Sequence, residues 1–297
     1  MSFCKDRVVV ITGAGAGIGR EHALEFARQG AKVVVNDVAA PDAVVEEIRA
    51  LGGEAIGSRD DISDWDGAGA VIAAAIDAFG TVHTVVNNAG ILRDKMLVNM
   101  DVDQWDAVIK VHLRGTFCVS RHAINHWRAQ DKAGTPVDAP RLVNTSSPSG
   151  LFGNPGQINY GSAKAAIAAF TVLAADELAR LGVGVNAIAP TALTDMTAGL
   201  DAYVAAVEAE RERTGFDPGD PGNIAPLVVY LGSPASEGIT GRVFTIKGGE
   251  ISVAETWVKG PRAVQEKRWE VDEIAATLPG LVERARPNTQ INGSPRT

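Results

Sequence analysis

The sequence predicts an α/β fold: a doubly wound, seven-stranded parallel sheet in three layers, α/β/α, followed by a C-terminal helical extension. Three observations point there. Short β-branched runs alternate with longer helical patterns from residue 8 to residue 246. Those runs are continuously apolar instead of alternating, as strands covered on both faces are. Glycine is in excess, 32 of 297 residues, against a usual share of roughly 7%; four of them, Gly13, Gly15, Gly17 and Gly19, directly follow the first apolar run.

The elements follow in order. Val8–Thr12 (VVVIT) reads as a strand, and Gly17–Gly30 as a helix with Ile18, Ala23, Leu24 and Ala27 on one face. Val33–Val35 centres a second strand, before a helix at Asp42–Leu51 and a short strand at Glu54–Gly57. A helix at Trp65–Phe79 leads to the strand Val82–Val86, then one long helix is expected near Asp103–Arg128. Asp131–Pro140, rich in Pro, Gly and Asp, is a surface loop before the strand Arg141–Asn144. A helix at Ile158–Leu181, a strand at Val183–Ile188, a polar helical insert near Thr194–Thr214, a helix at Asn223–Leu231 and a strand at Val243–Ile246 complete the series. Seven strands in about 245 residues make one domain, 1–250; residues 251–297 form an extension that the sheet does not need. Within it Arg262–Arg268 and Val271–Arg286 look helical, and the last dozen residues look like a mobile tail.

Composition narrows the function. With 28 Lys plus Arg against 36 Asp plus Glu, the formal charge is −8, and no basic cluster is available to bind a phosphate backbone, so no nucleic-acid partner is expected. The two cysteines, Cys4 and Cys118, are too few for a disulfide framework and suit a reducing cytoplasm. No signal-peptide pattern opens the sequence, and the chain does not end in a Ser-Lys-Leu address. The longest nearly apolar stretch, Ala165–Ala175, has 11 residues, where a membrane span needs about 20; no membrane association is expected. His122 and His126 are four apart but lack an intervening Glu and a third ligand, so no metal site is expected.

The turn Thr12-Gly13-Ala14-Gly15-Ala16-Gly17-Ile18-Gly19 lies between the first strand and the first helix, where small residues let the backbone approach a pyrophosphate and helix-start amides bind it. Asp37 closes the second strand, 20 residues beyond Gly17. A carboxylate there accepts hydrogen bonds from an adenosine ribose and repels a 2′-phosphate, and no Arg or Lys between Gly13 and Gly19 offsets it. NAD is therefore the expected cofactor, in preference to NADP.

The spacing Gly13-x3-Gly17-x-Gly19 resembles the glycine motif of the short-chain dehydrogenase/reductase family, and further motifs follow in that family's order. Asp61-Ile62 resembles its adenine-contacting pair, and Asn87-Asn88-Ala89-Gly90 its signature after the fourth strand. Ser147, Tyr160 and Lys164 match its catalytic Ser and Tyr-x3-Lys. The resemblance covers residues 5–250 and implies a Rossmann-like fold, dinucleotide contacts from Gly13, Gly17, Ile18, Gly19, Asn88, Ala89, Gly90, Pro190 and Thr191, and a homodimer or homotetramer.

Chemistry fits these residues. Tyr160 and Lys164, four apart on a helix, share a face. A phenol with a pKa near 10 is a poor base at neutral pH, but a nearby ammonium and the positive ring of bound NAD favour the phenolate. Tyr160 then removes the hydroxyl proton as hydride leaves the carbon, and Ser147 hydrogen-bonds the reacting oxygen. The resemblance further implies that Lys164 binds the nicotinamide ribose.

Two positions depart from the family pattern. His112, in Val111-His112-Leu113-Arg114-Gly115, stands where the family has a catalytic Asn; it either titrates near neutrality within a proton relay or is a packed helix histidine. Thr191 follows Pro190 where most members have Gly. Both departures, with residues 87–94 and 153–160, resemble the (3R)-hydroxyacyl-CoA dehydrogenase unit of peroxisomal multifunctional enzyme type 2, also called 17β-hydroxysteroid dehydrogenase type 4, and its stand-alone bacterial relatives. The resemblance implies oxidation of a (3R)-3-hydroxyacyl-CoA; the alternatives are a steroid alcohol dehydrogenase, a 3-ketoacyl carrier-protein reductase, or a non-catalytic dinucleotide sensor, which the intact Tyr160–Lys164 pair argues against. By position the insert Thr194–Thr214 resembles the family's substrate lid, which implies Ala192, Leu193, Met196 and Leu200 as candidates to face an acyl chain; the alternative is a solvated surface helix. In the extension, Lys259, Arg262, Lys267 and Arg268 are candidates to meet CoA phosphates or a neighbouring subunit, with a plain solvated helix as the alternative.

Overall fold

The computed structural model describes every residue except 1, 195, 196, 198–200, 256, 292, 293, 296 and 297. Eight strands form one sheet in the order β3-β2-β1-β4-β5-β6-β7-β8: β1 (Val8–Thr12), β2 (Lys32–Asn36), β3 (Glu54–Ser58), β4 (Thr84–Asn87), β5 (Arg141–Thr145), β6 (Gly184–Thr191), β7 (Arg242–Lys247) and β8 (Glu250–Ala254). The first seven are parallel, with Val10 aligned to Val34 on one side and to Val85 on the other. The strand order reverses between β1 and β4, and the crevice outside the carboxyl ends at such a point is where open α/β sheets bind ligands.

The eighth strand corrects the expected seven. Gly248 and Gly249 form a two-residue turn, Gly248 at φ +51°, and Lys247 pairs with Glu250 across it. The antiparallel β8 closes the edge of the sheet, with Ile251 and Val253 more than half exposed. Its apolar side chains face outward, so its sequence carries no buried run.

Helices cover both faces: α1 (Gly17–Arg28), α2 (Asp42–Ala50), α3 (Trp65–Phe79), α4 (Val102–Ile109), α5 (Gly115–Lys132), the short α6 (Pro148–Phe152), α7 (Ile158–Leu178), α8 (Asp201–Thr214) and α9 (Ala225–Leu231). Val9, Ile11, Val33 and Val35 point into one core with Phe26, Ile48 and Val228; Val8, Val10, Val34 and Leu142 point into the other with Val71, Val119 and Trp127. A fully buried Val, Leu or Ile contributes roughly 1.5–3 kcal/mol, so the two cores are the main source of stability. Local signals set the helix ends. The Asp64 carboxylate accepts from the amides of Asp66 and Gly67, both at 3.0 Å, and Gly80 at φ 85° terminates α3.

The helix expected across Asp103–Arg128 is not continuous. Between α4 and α5, Lys110–Arg114 form a π-helical turn that carries His112. Together with a 3₁₀ turn at Ala179–Leu181, α7 makes a helical run long and apolar enough to cross a membrane; here Ile167, Thr171 and Leu178 are buried, and the helix packs on β5 and β6.

The chain separates into two compact units, 1–254 and 255–297. In the second, the expected helix at Arg262–Arg268 is irregular chain: its seven residues hold one large apolar side chain, Val264, too little to offset the cost of nucleating a helix. Lys267 donates at 2.5 Å to Glu273, inside the capping box of α10 (Val271–Arg284). Beyond α10, Thr289 and Pro295 pair as an antiparallel bridge.

Candidate active site

The glycine turn is built so that side chains are excluded. Gly13 lies at φ +62°, and a Cβ there would fall 2.6 Å from Ala89 Cα. At Gly19 it would fall 2.1 Å from Gly13 O and 2.5 Å from Asn88 Nδ2. Gly17 takes φ +54° as α1 begins, and Ile18 packs against the core. A cradle with no room for a Cβ, opening onto the free amides of a helix start, fits the pyrophosphate of a dinucleotide.

Three residues lock this turn to the end of β4. Asn88 Nδ2 donates to Thr12 O (3.0 Å) and Gly13 O (3.1 Å). In return the amides of Asn88 and Ala89 donate to Thr12 Oγ1 at 3.0 and 3.1 Å. Thr12 was not among the expected residues; its signal is a hydroxyl at the end of an otherwise apolar strand. Asp37 lies beside the turn and accepts from Gly15 N (3.1 Å) and Ala39 N (2.9 Å). Asp61 accepts from Ser63 N (2.9 Å), while Ile62 is buried, its Cδ1 filling the space that Gly115 leaves open. Pro190 and Thr191 end β6 at the same edge of the sheet.

The reacting residues stand at the carboxyl ends of β5 and on α7. Ser147 caps α6, its Oγ accepting from Ser149 N at 3.2 Å. Helix α6 lies close on α7 because residue 150 is glycine: a Cβ there would fall 2.6 Å from Ala165 N. Lys164 is buried; its Nζ donates to Thr145 O at 2.6 Å and lies 5.6 Å from the centre of the Tyr160 ring. Burial pulls the Lys164 pKa down to about 7. Burial also raises the Tyr160 phenol above its ordinary value, Asp94 adds to the rise, and a hydrogen bond with Ser147 opposes it. The same low dielectric that penalises the phenolate penalises the Lys164 ammonium, and the expected lowering of Tyr160 counts the positive ring of bound NAD as well as Lys164.

His112 packs its ring edge-on to Tyr160, with centroids 5.2 Å apart and planes at 88°. Its Nε2 lies 2.9 Å from Ile91 N and 2.8 Å from Ile91 O. Only 1% exposed, the imidazole is held at a pKa of about 3, by burial first and the nearby Lys164 charge second. Burial thus disfavours the charged imidazole, and the ring is packed between Ile91 and Tyr160. Gly90 makes that possible, because a Cβ at 90 would sit 2.3 Å from His112 Cε1.

A buried amide chain holds these elements together. Asn87 Nδ2 donates to Asn144 Oδ1 and to Ser120 Oγ, both at 2.9 Å, and Asn144 Nδ2 donates to Thr171 Oγ1 at 3.0 Å. Asn159, fully buried, donates to Arg93 O (2.9 Å) and Gln104 O (3.2 Å) while its Oδ1 accepts from Tyr160 N at 2.7 Å. Asn144 and Asn159 were also missed; a buried Asn beside an apolar run is the signal that finds both. Among the lid candidates, Ala192 is buried in the core and Leu193 packs against Gly219, while Met196 and Leu200 lie outside the described residues. His122 and His126 bond separately, to Trp65 O and Thr81 Oγ1, each at 3.0 Å.

Residues 7–204 match the family model described as short chain dehydrogenase. Over 282 residues the chain is 45% identical to hydroxyacyl-CoA dehydrogenase ChsB1 of Mycobacterium tuberculosis, covering 92% of this chain and 87% of that protein. It is 52% identical over 193 residues to peroxisomal hydratase-dehydrogenase-epimerase of Neurospora crassa; the match takes 65% of this chain and spans about a fifth (20%) of that longer relative. A crystal structure of a short chain dehydrogenase from Mycobacterium avium superposes with a TM-score of 0.87 at 43% identity, covering 97% of this chain and 98% of its own.

Proposed function

This chain belongs to the short chain dehydrogenase family, and we propose that it is the NAD-dependent member that interconverts a (3R)-3-hydroxyacyl-CoA and its 3-ketoacyl-CoA. It is an oxidoreductase acting between hydroxyl and keto groups of a small molecule with a nicotinamide dinucleotide. The substrate class rests on one observation: the identity with a hydroxyacyl-CoA dehydrogenase runs through nearly the whole of both chains. The choice of NAD rests on Asp37, whose carboxylate stands beside Gly15 and would repel a 2′-phosphate.

In this reading the glycine turn with Asn88, Ala89 and Gly90 holds the dinucleotide, with Asp37, Asp61 and Ile62 toward the adenosine and Pro190 and Thr191 toward the nicotinamide. Bound NAD supplies the hydride acceptor and a positive charge beside the phenol. With that charge favouring the phenolate, Tyr160 Oη would take the hydroxyl proton, and the Ser147 hydroxyl would donate to the substrate oxygen as charge develops on it. Lys164, whose ammonium burial disfavours, would orient the nicotinamide ribose. Neutral His112 keeps the Tyr160 ring in place.

Two isolated buried cysteines keep a reducing cytoplasm as the compartment of this reading. A homodimer or homotetramer belongs to it as well: Phe117, Ile124, Phe170 and Leu173 line one apolar hollow on α5 and α7 that a second copy would cover. The deciding experiment follows reduced-cofactor absorbance with NAD and NADP against 3-hydroxyacyl-CoAs of both configurations, with steroid alcohols and carrier-bound ketoacyl groups alongside. Turnover of the (3R)-acyl-CoA with NAD is expected. Preference for NADP, or turnover of steroids alone, would refute it.

A further inference from the structure

We infer that Gln157 is a positioning residue of the reaction: its side-chain amide ties Ser149 and Asn154 to Asp94 and so holds the Ser147 and Tyr160 hydroxyls in place. This rests on the alcohol-dehydrogenase reading above and deepens it, by naming what aims the two reacting groups at one substrate oxygen. Gln157 stands immediately before α7, in the segment that runs into Tyr160.

One amide closes three contacts. Gln157 Oε1 accepts from Ser149 Oγ at 2.8 Å and from Asn154 Nδ2 at 2.9 Å, and Nε2 donates to Asp94 Oδ2 at 2.7 Å. A carboxylate only accepts, so chemistry fixes which end of the amide faces Asp94. The carboxylate acceptor also makes that contact the strongest of the three. Three segments thereby meet at Gln157: the chain after β4, helix α6, and the loop leading from α6 into α7.

Both reacting residues are reached through this junction. Ser149 is gripped from two sides, its hydroxyl on Gln157 and its amide on Ser147 Oγ at 3.2 Å. The amide occupies a lone pair of Ser147 Oγ and leaves the hydroxyl hydrogen free for a reacting oxygen. On the other side, Gly161 N donates to Gln157 O at 2.6 Å, in the turn that carries Tyr160. A Cβ on Gly161 would fall 3.1 Å from Ser149 O, so Ser149 lies directly on that turn. Backbone contacts run alongside: Lys95 N donates to Gly156 O at 2.9 Å, and Lys95 pairs with Gln157 as a parallel bridge. The segments therefore stay joined without the side chain, and what the amide adds is aim. Reacting groups misplaced by about 1 Å can lose on the order of 10²-fold in rate.

The test compares the parent with Gln157→Glu and with the swap Asp94→Asn/Gln157→Glu. The single change sets two carboxylates face to face and removes the Nε2 donor. The swap puts the donor on residue 94 and lets all three contacts form again. With NAD and a (3R)-3-hydroxyacyl-CoA, kcat of the single variant should fall about tenfold or more while KM for NAD stays within about twofold. The swap should return kcat to within about threefold of the parent. Like charges raise the pKa of one carboxyl, and a protonated carboxyl donates. The deficit of the single variant should therefore shrink from about pH 9 to about pH 6, relative to a parent that shares Tyr160, Lys164 and His112. A kcat within about twofold of the parent in Gln157→Glu overturns the inference, as does a swap no better than the single variant. So does a higher substrate KM with kcat intact, because Gln157 would then touch the substrate itself. If Gln157→Glu does not fold, Gln157→Met, which keeps the length and drops the amide, carries the kcat and KM readings. A parent inactive on the CoA esters but active on 2-alkanols or steroid alcohols removes the proposed substrate, and the same ratios on that alcohol judge Gln157; a parent active on none of them overturns both.

Discussion

Gly90→Ala adds one methyl group, and the structure says what it meets. The new carbon would lie 2.3 Å from His112 Cε1, 3.1 Å from Nδ1 and 3.2 Å from Nε2. Carbon contacts settle near 3.5–4.0 Å, so the overlap exceeds about 1 Å. The ring has nowhere to go: it is 1% exposed, its Nε2 is held at Ile91, and its edge is against Tyr160. Gly90 does not sit at positive φ, so backbone strain contributes nothing and the cost is steric alone. Overpacking of this kind costs about 1–3 kcal/mol, and the depth of the overlap points to the upper end. For a domain of this size that is a drop in Tm of roughly 4–6 °C, with kcat falling as Tyr160 is pushed. The assay is a double-mutant cycle with His112→Ala, read by urea unfolding. Removing the ring should recover most of the loss, giving a coupling energy above about 1 kcal/mol. Costs that simply add, within about 0.5 kcal/mol, would refute the account of why residue 90 is glycine.

Other outcomes are as specific. Tyr160→Phe removes the proton acceptor and should abolish turnover while dinucleotide binding, followed by fluorescence titration, survives; activity within about tenfold of the parent, some 1.4 kcal/mol of barrier, contradicts the assigned role. Asp37→Ala should weaken NAD and relax the discrimination against NADP, and unchanged KM values for both cofactors would count against it. Burial holds His22, His83 and His112 at pKa values of about 3, 4 and 3. Each folded-state value lies below the unfolded one near 6.5, so the unfolded chain binds more protons as pH falls and stability is lost from about pH 6.5 down to about 3. For His22, whose ring nitrogens have no partner in the described residues, the full loss is on the order of 5 kcal/mol. His22→Leu should therefore flatten the fall in urea midpoint between pH 7 and pH 4; a slope identical to the parent's would mean that His22 does not titrate with unfolding.

Much of the site is local and therefore legible. The glycine turn, Asp37, the Asn87–Gly90 segment and the Tyr160–Lys164 spacing each lie within one strand-to-helix passage or one helix turn, where residue type alone limits the backbone. What escaped depends on distant partners. The π turn at Lys110–Arg114 has the composition of ordinary helix, and what distinguishes it is a histidine lodged against Gly90 and Tyr160. The burial of Tyr160 and Lys164, which disfavours the charged form of each, is likewise set by distant elements and is not written in their spacing. The strand β8 escaped because its apolar face is outward, although Gly248-Gly249 is a hairpin signal. Ala192 and Leu193 look like free apolar residues in sequence; one is in the core and the other is spent on Gly219.

The wide turn carrying His112 also bears on how this chain tolerates length changes. Deleting a residue inside an ordinary helix rotates everything beyond it by about 100°. Within α5 that would swing Val119, Ala123 and Trp127 out of the core they fill. A π turn already holds one residue more than the α spacing requires, so removing one from Lys110–Arg114 restores regular helix and leaves α4 and α5 in phase. The surplus residue is what gives the imidazole its seat: at this point the fold can survive being shortened, and the catalytic geometry cannot.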